Sequence, residues 1–90
     1  MTSVYSIRLL KSAVKELEKL DKRTAQRIVE RLHWLSSNIG SIKVFPLKGD
    51  LAGLYKLREG SYRIIFEIFH HDLTIIVHSI GHRKEIYKQK

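Results

Sequence analysis

Leu54-Tyr55-Lys56-Leu57-Arg58-Glu59-Gly60-Ser61-Tyr62-Arg63-Ile64-Ile65-Phe66-Glu67-Ile68-Phe69 decides the fold class of this 90-residue chain. Two runs rich in aromatic and β-branched residues, Leu54 to Arg58 and Tyr62 to Phe69, flank Glu59-Gly60-Ser61. A third run, Leu73 to Ile80, follows His70-His71-Asp72, so the spacing predicts an antiparallel meander. The first half of the chain has a different period. Val4 to Leu10 alternates, with Tyr5, Ile7 and Leu9 on one face and Ser6 and Arg8 on the other, which predicts a half-buried strand. Leu10, Ala13, Val14, Leu17 and Leu20 then recur at helical spacing, giving an amphipathic helix from Lys11 to Leu20 with Ser12 as a cap. Asp21 opens a second helix on the stripe Ala25, Ile28, Val29, Leu32 and Leu35, ending near Ser36-Ser37-Asn38 and Gly40. Ser36 to Gly53 reads as loop, with one short extended piece at Lys43 to Phe45. The order β-α-α-β-β-β predicts an α+β domain in which an N-terminal helical hairpin covers one face of an antiparallel, twisted sheet.

Composition narrows the chemistry. At 10.6 kDa, with 43% hydrophobic and 29% charged residues, residues 1–90 read as a single small domain of modest stability. The absence of cysteine excludes disulfides, thiolate zinc sites and cysteine nucleophiles, and fits a reducing, cytoplasmic setting. No export signal or membrane-length apolar run is visible, so no membrane partner is expected. Seventeen Lys and Arg against nine Asp and Glu give a net charge of +8 and a pI near 10.0. A field of that sign in so small a domain points to a polyanion, or to an acidic protein.

The cations are patterned. Side chains two apart on a strand share a face, so Lys56 and Arg58 point one way, and a short hairpin brings Arg63 beside them. They also fit the solvated side of a sheet covered on one face only. Lys11, Lys15 and Lys19 form a basic ridge on the first helix, and Arg23, Arg27 and Arg31 form another on the second. The last ten residues concentrate His82, Arg83, Lys84, Tyr87 and Lys88. RNA can be cut through its own 2′-hydroxyl if a base takes that proton, cations stabilise the phosphorane and the leaving 5′-oxygen is protonated. Tyr87 and His82 are the two candidate bases in that tail, and Arg63, Arg83 and Lys56 the candidate charge stabilisers. A tyrosine with a reference pKa of about 10 is only about 0.1% ionised at pH 7, so Tyr87 needs nearby cations to serve. No metal or cofactor is expected: His33, His70, His71, His78 and His82 have no thiolate company, and His70-His71-Asp72 reads as a hairpin turn.

Nearly the whole chain resembles the RelE branch of the RelE/ParE toxin superfamily. The resemblance is carried by the helix Ser12 to Leu20, by Leu47-Lys48-Gly49-Asp50-Leu51-Ala52-Gly53-Leu54-Tyr55-Lys56-Leu57-Arg58, by Gly60-Ser61-Tyr62-Arg63 and by Ile80-Gly81-His82-Arg83-Lys84-Glu85-Ile86-Tyr87. It implies a small ribonuclease-like fold and the toxin of a toxin–antitoxin pair. The implied activity is cleavage of mRNA in the ribosomal A site, without metal, leaving a 2′,3′-cyclic phosphate. It further implies an acidic RelB-type antitoxin and a toxin–antitoxin complex that binds operator DNA. By position, the family's transition-state arginine falls on Arg63, its second arginine on Arg83, its terminal tyrosine on Tyr87 and a supporting lysine on Lys56. From their charge pattern, Arg58, Lys84, Lys88 and the two helical ridges are candidate RNA contacts, the ridges fitting ordinary solvated helix faces as well. The chain departs from some members at Leu54, where they have a second basic residue, and at His82, where they have a lysine beside the second arginine, so Tyr87 and His82 both stay open as the base. ParE-type relatives implied by the same superfamily inhibit DNA gyrase, and a degenerate member would bind only RNA or antitoxin.

Overall fold

The computed structural model describes residues 4–82. Strand β1 (Ser6–Leu9) leads into helices α1 (Lys11–Glu18) and α2 (Lys22–Asn38), followed by the two-residue strand β2 (Phe45–Pro46). After a 3-10 turn at Gly49–Leu51 come β3 (Tyr55–Glu59), β4 (Tyr62–Phe69) and β5 (Thr74–His82). The sheet order is β1-β5-β4-β3-β2. The last three strands form the expected meander, but β1 lies parallel to β5, so the five-stranded sheet is mixed rather than antiparallel throughout. Alternation identifies a strand without identifying its neighbour, and the free edge of the meander at β5 is where β1 lands.

Both helices pack on one face. Ala13 of α1 and Ile28, Leu32 and Leu35 of α2 are buried against Ile64, Phe66, Ile75, Val77 and Ile80 of the sheet. Val14 and Val29, on the edges of the two helical stripes, remain exposed. A β-bulge explains how Val77 and Ile80, three residues apart, reach the same core: Ile65 opposes Ser79 and Phe66 opposes Val77, leaving His78 as the extra residue of β5. The bulge shifts the alternation by one. Its unpaired backbone is taken up by α1, because β1 ends opposite Val77. The Ser12 hydroxyl donates to the His78 carbonyl at 3.1 Å, and the Ile80 amide donates to Glu16 Oε1 at 2.9 Å. Ser12 therefore does not cap α1. Leu10 occupies that position, with no side-chain cap bond.

Asp21 does cap α2. Its Oδ1 accepts from the Thr24 hydroxyl at 2.6 Å and its Oδ2 from the Thr24 amide at 3.3 Å. These bonds, the hydroxyl's first, hold the Asp21 carboxyl below the usual carboxylate range. A folded-state pKa that is depressed gives stability that is present above the unfolded value of about 3.9 and lost as pH falls through the folded one. Asp21→Ala is thus expected to lower the thermal midpoint at pH 7 by more than at pH 3, whereas Asp21→Asn, still a good cap, should stay near wild type at pH 7. A difference between wild type and Asp21→Ala that does not change with pH would remove the carboxylate from the cap.

Candidate functional site

The turn between β3 and β4 sets the geometry of the cationic face. Gly60 has φ of 60° at the first position of a two-residue turn, the conformation that suits the twist of a tight hairpin and that side chains resist. Glu59 consequently opposes Tyr62, and Arg58 opposes Arg63. On the same face, one step along, Lys56 opposes both Ile65 of β4 and Phe45 of β2. Like charges directly opposite one another weaken a sheet by several tenths of a kcal/mol. Among the described residues, no ion pair to either arginine offsets that cost on the Arg58–Arg63 rung.

Arg63 is the most unusual residue of the rung. It is 9% exposed, and its Nη1 donates to the Tyr62 carbonyl at 3.3 Å. Among the described residues it forms no ion pair. A guanidinium held out of water with no counter-ion is costly, and an anion entering beside it recovers that cost. Arg63 lines a groove together with Lys56, Arg58, Lys43, Arg31 and the aromatic rings of Trp34 and Phe45. Among the described residues, no carboxylate lines it. Arg31 is held at its margin, 3.8 Å from Glu59 and 4.1 Å from the centroid of the Trp34 ring.

The other residues named from sequence fall into separate places. Lys11, Lys15, Arg23 and Arg27 are exposed on the helices, Lys19 is exposed just after α1, and none of them lines the groove; of the two ridges, Arg31 reaches it. Gly81 is the rung opposite Arg63, and His82 the rung opposite Tyr62. Successive strand residues face opposite ways, so His82 shares the face of Tyr62, and its ring meets the Tyr62 ring edge-on at 5.7 Å. Arg63 points to the other face. Arg83, Lys84, Tyr87 and Lys88 lie outside the described residues. His70-His71-Asp72 forms the β4–β5 turn with Leu73, and no group of three or more metal-ligating side chains occurs among the described residues. Sequence reading missed the groove's aromatic wall. The signal for it was the extended piece at Lys43 to Phe45, where an aromatic residue alternates with a lysine.

The family described as "ParE toxin of type II toxin-antitoxin system, parDE" matches residues 7–87. Toxin RelG of Mycobacterium tuberculosis is 29% identical over 85 residues, covering 94% of this chain and 98% of the relative. Toxin RelE of the same organism is 30% identical over 86 residues, covering 93% and 87%. Among solved structures, the RelBE2 toxin–antitoxin complex of M. tuberculosis contains a chain that superimposes with a TM-score of 0.83 at 28% identity, covering 94% of this chain and 98% of that one.

Proposed function

We propose that this chain, which belongs to the RelE/ParE superfamily and is the toxin of a type II toxin–antitoxin system, is an endoribonuclease that cuts mRNA in the ribosomal A site. One observation carries the reading: Arg63, nine-tenths buried and with no ion pair among the described residues, opens with Arg58 and Lys56 onto one cationic groove. A phosphodiester seated there meets charge where the phosphorane forms. The base removes the proton of the substrate's 2′-hydroxyl, the 2′-oxygen bonds to phosphorus, and the bond to the 5′-oxygen breaks as that oxygen gains a proton. The products are a 2′,3′-cyclic phosphate and a free 5′-hydroxyl. Because the nucleophile belongs to the RNA, the protein supplies position, charge and proton transfer.

Arg63 stabilises the phosphorane, Lys56 and Arg58 hold the flanking backbone, and Arg83 delivers the second cation or the leaving-group proton. Between the two candidate bases, the reading favours Tyr87, because His82 shares the face of Tyr62 and not that of Arg63. The antitoxin is of the RelB type and acidic, and the pair together binds operator DNA. A translating ribosome as target places the action in the cytoplasm.

Mapping RNA ends after adding the purified protein to a translating extract tests the reading. Cuts at ribosome positions support it. Intact message together with trapped gyrase cleavage complexes would replace it with inhibition of DNA gyrase, the other activity that the resemblance to this superfamily implies. In the same assay, Tyr87→Phe is expected to slow cleavage by about 10²- to 10⁴-fold, the usual contribution of a positioned base, while His82→Ala keeps most of the rate. The opposite pattern moves the base to His82.

A further inference from the structure

Two aromatic side chains that cleavage does not use open onto the Arg63 groove. Phe45, on β2, is 65% exposed, and Trp34, on α2, is 39% exposed. Scattered exposed apolar residues need no explanation, but two rings in one groove whose charged lining, among the described residues, is cationic form a combination with a known physical use. A positive track holds the backbone of a single strand, and aromatic faces receive its bases.

The register places the parts. Phe45 opposes Lys56 and shares its face, and Arg58 lies two residues further along β3 on that face. With about 4.8 Å between strands and about 3.4 Å per residue, the Phe45 Cα stands about 8 Å from that of Arg58 and about 12 Å from that of Arg63. All three side chains leave the same face of the sheet, so their spacing is on the scale of about one to two nucleotides. The Arg31 guanidinium stacks on Trp34 at 4.1 Å and steadies the indole beside the track.

We propose that Phe45, with Trp34 behind it, is a stacking platform for the nucleobase next to the phosphate held by Arg58 and Arg63. The proposal rests on the reading of this groove as the RNA site and adds to it a residue that positions the strand and grades its bases. Charge next to a ring suits a polymer that carries an anionic link beside each aromatic unit. Such a contact tolerates every base, because each has a π-face, and favours the larger ones.

Trp34 is the sole tryptophan of the chain, so its fluorescence reports occupancy of the groove directly. The test titrates the full chain with a short 2′-O-methyl oligoribonucleotide, which cannot be cut because its 2′-oxygens are blocked. Wild type is expected to show quenching of Trp34. Phe45→Ala should bind about 5- to 150-fold more weakly, with the same dependence on salt, because a stacked base is lost and no phosphate contact is. Phe45→Tyr should retain affinity, and Phe45→Leu should be as weak as alanine. Wild-type affinity in Phe45→Ala or in Phe45→Leu overturns the platform. So does a Phe45→Ala variant that binds RNA normally but loses its RelB-type antitoxin, which makes the ring a protein contact. The two readings separate cleanly. Oligonucleotide binding that depends on Phe45 without ribosomal cleavage removes the nuclease and keeps the platform, whereas cleavage with binding indifferent to Phe45 does the reverse.

Discussion

Arg63→Ala is expected to lower cleavage of ribosome-bound mRNA by at least about 10²- to 10³-fold, the usual loss when one charge-directed donor to a transition state is removed. The expectation follows from where the guanidinium stands. It is nearly buried, and among the described residues it lines a groove without carboxylates and donates one hydrogen bond to the neighbouring Tyr62 carbonyl. A phosphorane's charge is greatest at the top of the barrier, so the loss should fall on kcat more than on KM. Arg63→Lys keeps the charge but not the planar pair of donors, and should recover part of the rate. Because Arg63 opposes another arginine, removing it relieves a repulsion, and the thermal midpoint of Arg63→Ala should stay close to that of wild type. Cleavage at the wild-type rate by Arg63→Ala would end its role in catalysis. A collapsed midpoint would instead make the residue structural.

The largest expected effect on stability lies at Phe66. Its side chain is fully buried, between the helices and the sheet, and its ring stacks with that of Tyr55 at 5.9 Å and 30°. Phe66→Ala removes that burial and leaves a cavity that close-packed neighbours fill poorly, a cost of about 3–5 kcal/mol. Domains of this size rarely have more than about 5–10 kcal/mol in total, so the variant should populate unfolded chain measurably at 37 °C. Chemical denaturation of Phe66→Ala beside Phe69→Ala supplies the contrast. Phe69 lies three residues along the same strand on the other face, is 37% exposed, and should cost well under half as much. Equal losses would contradict the assignment of the helix-covered face.

Much of this was legible in the order of residues, for local reasons. Helical spacing in Lys11 to Leu20 and in Asp21 to Gly40, and runs of β-branched and aromatic residues after Leu54, reflect which face of each element avoids water. The side chain of Asp21 caps from within its own turn, so its role needs nothing distant. Arg58, Arg63 and Lys56 could be brought together on paper because a tight hairpin and an alternating strand leave few ways to place them. Ser12 misled because a serine near a helix start has two uses, and the backbone that claimed its hydroxyl belongs to His78, 66 residues away. The bulge at His78 was invisible for a similar reason: β5 reads as a continuous strand, and only pairing with β4 shows that one residue is left over.

The chain alone determined an α+β fold with an early helical hairpin, a strongly positive domain, a β3–β4 hairpin that aligns three cations, and kinship to the RelE/ParE toxins, because each of these depends on neighbours in sequence or on summed composition. Tertiary structure alone decided that β1 runs parallel to β5, that His82 turns to the face opposite Arg63, and that Phe45 and Trp34 join the cationic groove. Those outcomes depend on which distant segments share a rung or an edge, and the energy that selects among such pairings comes from burying the whole core at once, which no single stretch of sequence records.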